Sequence, residues 1–129
     1  MNIPFSPPDI TDEEIEEVVS ALKSGWITTG PKTKEFEKRI TAYCGSDNTV
    51  CLSAATTALE MTLRLLGIGE GDEVIVPAYT YTATCSVVCH VGATPVIIDS
   101  QEDREEMDYD KLSEAITDKT KVIIPVDIA

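Results

Sequence analysis

Small and hydroxyl-bearing side chains join an apolar segment to a helix-like segment near the middle of the chain. The sequence at residues 50–61 reads VCLSAATTALEM, which predicts a strand ending at Leu52 and a helix from about Thr56. The first turn of a helix offers unpaired backbone N–H groups and a partial positive charge, and both suit a phosphate. Small residues would let a phosphate approach the backbone, whereas the plainer interpretation is that Ser53 or Thr56 caps the helix.

Two tyrosines follow a second apolar segment, at residues 73–77, in the sequence AYTYTAT. One tyrosine here could pack in the core, but two beside hydroxyl residues could offer an aromatic face to a flat ligand. Ligands of open parallel sheets bind at the carboxyl ends of the strands, where both features are expected. A phosphate-binding turn beside an exposed aromatic face indicates a phosphorylated planar cofactor.

The spacing of Cys85, Cys89 and His90 is the nearest approach to a metal-binding pattern. Residues four apart share one face of a helix, so these side chains could meet one ion. A structural zinc site needs four ligands, and the sequence places no second pair nearby. We therefore interpret the cysteines as ordinary buried thiols and predict no metal site.

From residue 49 onward, short apolar segments alternate with helix-like segments. Strands are predicted at residues 49–52, 73–77, 95–98 and 121–126, and helices at about residues 56–66, 80–91 and 110–116. Continuous apolar strands separated by helices are typical of a parallel sheet covered on both faces. The predicted fold class is α/β, a partial three-layer α/β/α sandwich with a mostly parallel sheet.

The N-terminal part of the chain predicts two helices. Thr11 and Glu14 form a capping box at the start of the first helix. Its apolar residues recur at helical spacing: Ile15, Val18, Val19 and Leu22. We expect that face to pack and the glutamates to stay in solvent. A second helix is predicted from about residue 32 to 43, and we divide the chain into domains at residues 1–48 and 49–129.

The loop between these two helices, SGWITTGPK at residues 24–32, contains the only tryptophan of the chain. A plain linker would not require a large aromatic residue among glycines, threonines and a proline. Trp26 either anchors the loop to the core or contacts a ligand, and the sequence leaves both interpretations open.

Length and charge limit the classes of protein. The chain has 129 residues, a one-domain length, and a formal net charge of −13. Such an acidic balance argues against nucleic acid and anionic membrane surfaces as partners. No apolar run is long enough to span a bilayer, and the start of the chain lacks the features of a signal peptide. We therefore expect a cytoplasmic location.

Several motifs together resemble the DegT/DnrJ/EryC1/StrS sugar aminotransferases, a branch of the pyridoxal-phosphate fold type I enzymes. The motifs are IPFS at 3–6, SGWITTGP at 24–31, FE at 36–37, SAATTAL at 53–59, GDEVIVP at 71–77, GATPV at 92–96 and IPV at 124–126. They occur in the family's order over nearly the whole chain. The resemblance implies the N-terminal portion of the large domain of that fold, and the loop is most similar to that of UDP-4-amino-4-deoxy-arabinose aminotransferases.

The resemblance also implies roles for individual residues. Ala55 and Thr56 match the pair that holds the phosphate of pyridoxal 5'-phosphate, and Tyr81 matches the residue that stacks on its pyridine ring. The loop residues Trp26, Thr28, Thr29 and Gly30 match a segment that borders the substrate site. In the family the substrate is a keto-sugar linked to a nucleotide, the amino donor is usually glutamate, and the complete enzyme is a homodimer.

Two groups that transamination requires are not matched in this chain. These are the lysine that bonds the cofactor and the carboxylate that keeps the pyridine nitrogen protonated. Asp127 is not that carboxylate, and Lys119 and Lys121 flank the start of a strand, at the wrong edge of the sheet. We expect a truncated chain that is inactive by itself. The alternatives are part of a related pyridoxal-phosphate-dependent sugar dehydratase, or a short non-catalytic binding or regulatory protein of the same fold.

The resemblance also implies a strand order. The strand at residues 49–52 is expected beside strands from later in the family's chain, so it should lack a partner here. The other three predicted strands should pair with one another.

Overall fold

The computed structural model describes residues 3–4 and 6–127. Met1, Asn2 and Phe5, which belongs to the first family motif, lie outside the described residues. The chain divides into two compact units, Met1–Cys51 and Leu52–Ala129. Each unit is described by itself.

In its described residues, the first unit has two helices, α1 (Asp12–Lys23) and α2 (Pro31–Cys44). The Glu14 carboxylate accepts a hydrogen bond from the Thr11 amide at 2.6 Å, as the predicted capping box requires, and a second one from the Thr11 hydroxyl at 2.5 Å. Helix α2 begins with Pro31 in its first position and ends at Gly45, whose φ of 65° terminates the helix.

The apolar face of α1 is not buried, so the expectation that it packs is wrong for the described structure. Val18 and Leu22 remain 60% and 63% exposed. An amphipathic pattern gives a helix an apolar face, but it does not supply the element that covers that face.

The second unit, as far as residue 127, contains three helices and three strands. In chain order they are α3 (Ala55–Leu65), β1 (Glu73–Pro77), α4 (Ala83–His90), β2 (Thr94–Ile98), α5 (Tyr109–Ala115) and β3 (Thr120–Ile123). The strands form one parallel sheet in the order β2-β1-β3. Opposite Ile75 of β1 stand Val96 of β2 and Ile123 of β3.

Alternate residues of β1 face two different hydrophobic clusters. Val74 and Val76 pack with Leu63 of α3 and with Val87 and Val88 of α4. Ile75 faces the other way and packs with the cluster of Ile98 and Met107, against which Leu112 of α5 lies. Because strand side chains alternate between faces, this arrangement covers both sides of the sheet and confirms the predicted α/β/α layers.

Residues 49–52 do not pair with the other three strands, as expected, but the predicted strand conformation is wrong. The segment is irregular, and Val50 is 71% exposed. Within the first unit, the Cys51 amide donates to Glu37 Oε1 at 2.8 Å, and Thr41 Oγ1 donates to Thr49 Oγ1 at the same distance. An apolar sequence favours extended backbone, but a strand also needs a neighbour to pair with, and no described strand pairs with this segment. The other three strands pair with one another, as expected.

Candidate functional site

The N-terminus of α3 presents unpaired backbone donors beside small side chains. Ala54 is the N-cap residue in extended conformation, and the first backbone bond of the helix runs from the Ala58 amide to the Ala54 carbonyl at 3.3 Å. The amides of Ala55, Thr56 and Thr57 have no acceptor among the described residues. Ser53, Ala54 and Ala55 are exposed, so an anion could reach these amides without a steric obstacle.

Side-chain capping does not account for this turn. No side chain within the described chain caps α3, although Ser53 Oγ and Thr57 Oγ1 lie 3.4 Å apart. Thr56 occupies the second helical position and is half-buried. Its place in the first turn agrees with the predicted helix start to within one residue. The donors at this helix start therefore fit a phosphate, which accepts several hydrogen bonds at once.

Tyr81 stands in the turn between β1 and α4 with its side chain 81% exposed. The Tyr81 carbonyl accepts a hydrogen bond from the Thr84 amide at 3.0 Å. Thr80 Oγ1 and Thr84 Oγ1 lie 2.9 Å apart in the same turn. The turn thus fixes the backbone at Tyr81 while leaving its ring open to solvent, as stacking on a flat ligand would require. The neighbouring Tyr79 is 55% exposed.

The turn at α3 and the ring of Tyr81 belong to the same edge of the sheet. Helix α3 leads into the start of β1, and α4 leads into the start of β2. The ends of the two helices meet, because Arg64 Nη2 of α3 donates to the His90 carbonyl of α4 at 3.3 Å. Both helices therefore run opposite to the strands. Their N-termini lie toward the carboxyl ends of the strands, the edge where parallel sheets bind ligands.

A network of polar and charged side chains joins the C-terminal halves of α3 and α4. Glu60 Oε1 accepts hydrogen bonds from Arg64 Nε and Nη2 at 2.9 and 2.7 Å, and Glu60 Oε2 lies 3.0 Å from His90 Nδ1. The Arg64 hydrogen bonds, with a further contribution from His90, hold the pKa of Glu60 below its ordinary value. The network links the two helices whose N-termini form the candidate site.

The contact between His90 and Glu60 is not indicated by the local sequence. The i, i+4 spacing of Glu60 and Arg64 was the available signal for their ion pair. His90 lies thirty residues from Glu60 along the chain, so no local pattern could indicate that the two side chains meet.

In the first unit, the loop residues Trp26, Thr28 and Thr29 are exposed, whereas Gly30 is buried. Trp26 Nε1 donates to the Thr29 carbonyl at 3.0 Å, so the indole folds back over its own loop. Trp26 is nevertheless 57% exposed. The loop thus presents one aromatic ring and two threonine side chains to solvent.

One cavity of the second unit, of about 450 Å³, lies beside α5 and β3 and away from the candidate site. Several carboxylates, including Glu105, line it together with Arg104 and with apolar side chains such as Met107. Carboxylates would repel a phosphate there. Among the described residues, no group of three or more histidine, cysteine, aspartate or glutamate side chains could hold a metal ion. The four cysteines are free thiols, but the prediction that they are buried is wrong: Cys44 and Cys89 are exposed, and Cys51 and Cys85 are only half-buried.

Comparison with known proteins places the whole arrangement in one family. Residues 8–129 match the model of the DegT/DnrJ/EryC1/StrS aminotransferase family. The chain belongs to this family. The predicted membership and the predicted fold class are therefore both confirmed, since solved structures of DegT/DnrJ/EryC1/StrS proteins superimpose on the same helices and parallel sheet.

Individual family relatives are proteins of sugar metabolism by their descriptions. The spore coat polysaccharide biosynthesis protein SpsC of Bacillus subtilis (strain 168) is 43% identical over 124 residues, which cover 96% of this chain and 32% of SpsC. Spr1654 from Streptococcus pneumoniae, described as a sugar aminotransferase, is 68% identical with a TM-score of 0.91, covering 97% of this chain and 32% of that chain. It has been solved in PMP and PLP forms.

A more distant relative preserves the same architecture. DesV of S. venezuelae is 37% identical with a TM-score of 0.78, and the match covers 88% of this chain and 32% of DesV. The chain thus spans about a third of the length of the relatives it matches. No helix in the described ranges has the length and apolar character needed to cross a membrane.

Proposed function

We propose that this chain contributes the cofactor-phosphate turn and the ring-stacking residue of a pyridoxal-phosphate-dependent aminotransferase that acts on a nucleotide-linked keto-sugar. Glutamate is the proposed amino donor, and residues 1–48 and 49–129 are the proposed substrate-bordering and cofactor-binding parts. Family membership supports the reaction class. The observation that carries the proposal is the set of unpaired amides at Ala55–Thr57, at the same sheet edge as the exposed ring of Tyr81.

The residues present fit pyridoxal phosphate. The amides of Ala55 and Thr56 and the Thr56 hydroxyl would donate to the phosphate, and the Tyr81 ring would cover one face of the pyridine. When bound, the cofactor supplies the carbonyl and pyridine system that takes an amino group from the donor and passes it to the keto-sugar. In the other unit, Trp26, Thr28, Thr29 and Gly30 are the proposed residues of the substrate-bordering loop.

The 129 residues alone are expected to bind the cofactor weakly and to show no transamination. The phosphate contacts and the aromatic stack contribute about 1–2 kcal/mol each, whereas association costs at least about 4 kcal/mol in lost freedom of motion. The Lys119 carbonyl accepts from the Glu73 amide at 2.9 Å, which places Lys119 at the start of β1, away from the phosphate turn. It is therefore not positioned to bond the cofactor.

The proposal is tested by titrating the ¹⁵N-labelled chain with pyridoxal phosphate and, separately, with pyridoxal. Pyridoxal phosphate should shift the NMR amide signals of Ala55, Thr56 and Thr57 with millimolar affinity. Pyridoxal should leave them in place, because it lacks the phosphate. Thr56→Val should weaken pyridoxal phosphate binding about tenfold, since a hydrogen bond to a charged group is worth about 1.5 kcal/mol.

Thr62→Val is the matched control, because Thr62 is an exposed threonine of the same helix whose hydroxyl donates to the Ala58 carbonyl. This variant should bind pyridoxal phosphate like the unmodified chain. Equal shifts with pyridoxal and pyridoxal phosphate, or equal losses in the two threonine variants, would contradict the proposed phosphate turn.

A further inference from the structure

Gly30 is fully buried, whereas the other described residues of the first unit are half-buried or exposed. It is the only residue of the first unit in the fully buried class, among those that the structure describes. The covering group is the indole of Trp26. A Cβ atom added at Gly30 would lie 2.0 Å from Trp26 Nε1, 2.3 Å from Cδ1 and 2.7 Å from Cε2. The indole therefore occupies the space that any side chain at residue 30 would need.

The backbone at Gly30 does not itself require glycine. Its φ of −163° and ψ of −154° are extended values that any residue adopts. By contrast, Gly25 has a φ of 73°, and an added Cβ there would meet nothing within 4 Å. Gly25 therefore supplies the positive φ that the turn requires, whereas Gly30 provides room for the Trp26 ring.

Hydrogen bonds hold Trp26 at two further points. Its Nε1 donates to the Thr29 carbonyl at 3.0 Å, and its backbone amide donates to Ser24 Oγ at 3.1 Å. The Ser24 hydroxyl in turn donates to the Ala21 carbonyl at the end of α1, at 2.7 Å. Trp26 is thus held through its backbone amide, through Nε1 and by the packing of its ring over Gly30. More than half of its side chain nevertheless stays exposed.

We propose that Gly30 is a positioning residue, which holds the Trp26 indole in one orientation and does not itself touch a ligand. The exposed part of the ring is then the contact surface that the loop offers. A ring that is already fixed does not lose rotamer freedom when a ligand binds, so the glycine improves affinity through Trp26. The statement that this ligand is the nucleotide-linked sugar depends on the proposed function, whereas the role of Gly30 in holding the ring does not.

The first test uses Trp26 as its own reporter, because the chain contains a single tryptophan. Gly30→Ala should move the indole away from the loop, shifting its fluorescence emission to longer wavelength. Acrylamide quenching should rise toward that of free N-acetyltryptophanamide. Far-UV circular dichroism measures whether the total helix content of the variant equals that of the unmodified chain. Unchanged emission and quenching in Gly30→Ala would overturn the proposal.

Gly69→Ala is the matched control. Its φ lies outside the left-handed region, and an added Cβ there would make only an ordinary contact, 3.7 Å from the Val91 carbonyl oxygen. This variant should retain the emission and quenching of the unmodified chain. A shift as large as that of Gly30→Ala would show that the effect is general to glycine replacement and would also overturn the proposal.

The second test adds uridine diphosphate to the unmodified chain and to Gly30→Ala, with binding followed by saturation-transfer NMR. Binding by the unmodified chain that is lost in Gly30→Ala supports a positioning role at a ligand site. Equal binding by both chains overturns that role. If neither chain binds, the substrate part of the proposed function fails, and the emission result alone then decides whether Gly30 holds the ring.

Discussion

Leu63 and Leu65 stand two positions apart in α3 but have opposite environments. Leu63 is 1% exposed within the cluster that includes Val74 and Val76 of β1, whereas Leu65 is 83% exposed. Leu63→Ala should lower the free energy of unfolding by about 2–5 kcal/mol, since it removes buried methyl groups and leaves a cavity. Urea denaturation followed by circular dichroism measures the change.

Leu65→Ala provides the comparison, and its free energy of unfolding should stay within about 0.5 kcal/mol of the unmodified chain. If the two alanine variants are equally destabilised, the face of α3 that packs on the sheet has been assigned incorrectly.

At the residue scale, local sequence predicted the start of α3 but not the packing of the Trp26 ring over Gly30. The run of small residues from Ser53 to Thr57 indicates the start of the adjacent helix, and a helix start depends on local sequence. The resemblance implied that Gly30 borders the substrate site. Its actual neighbour is the Trp26 ring, and a sequence does not show which way a side chain folds over its own loop.

At the scale of elements, the Glu60 network predicts a pH dependence of stability. The folded-state pKa of Glu60 is lowered, first by hydrogen bonds from Arg64 and then by His90. Its contribution to stability is therefore present above the ordinary glutamate value of 4.5 and is lost as pH falls through the lower folded pKa. Glu60→Gln should destabilise the chain at pH 7 and have a smaller effect near pH 3.

Urea denaturation at the two pH values measures this difference, and Glu70→Gln serves as the control. Glu70 is exposed and forms no ion pair within the described parts of the chain, so its replacement should have little effect at pH 7. A Glu60→Gln effect of the same size at both pH values would show that the carboxylate charge is not what joins α3 to α4.

The sequence predicted elements better than it predicted their partners. Apolar runs located β1, β2 and β3 to within a few residues, because burial on both faces requires a continuous apolar pattern. The same pattern at residues 49–52 predicted a strand, but the segment is irregular. Its lack of a partner in this sheet was expected, and an apolar segment without a partner does not form a strand. The apolar spacing of α1 predicted a packed face that is exposed, because local periodicity does not show which element covers that face.

For the whole molecule, the distribution of buried residues predicts very unequal protection from hydrogen exchange. β1 has four fully buried residues and a partner strand on each side. By contrast, α1 and α2 have no buried residues. Amides of β1 should exchange only through global unfolding, whereas those of the two helices should exchange through local opening. Exchange followed by mass spectrometry measures both in one experiment. Equal protection of α1 and β1 would contradict this distribution.

The strand order also determines where the sheet could recruit another chain. β2 and β3 each have one side without a partner strand among residues 3–4 and 6–127. Such edges are templates for aggregation, which natural proteins oppose with prolines, charges and short strands. Pro95 lies in β2 and removes a backbone donor, whereas the four residues of β3 rely on Lys121. The β3 edge is therefore the less protected of the two, and we expect two copies in concentrated solution to join there first. Repulsion between their Lys121 ammonium groups opposes this contact.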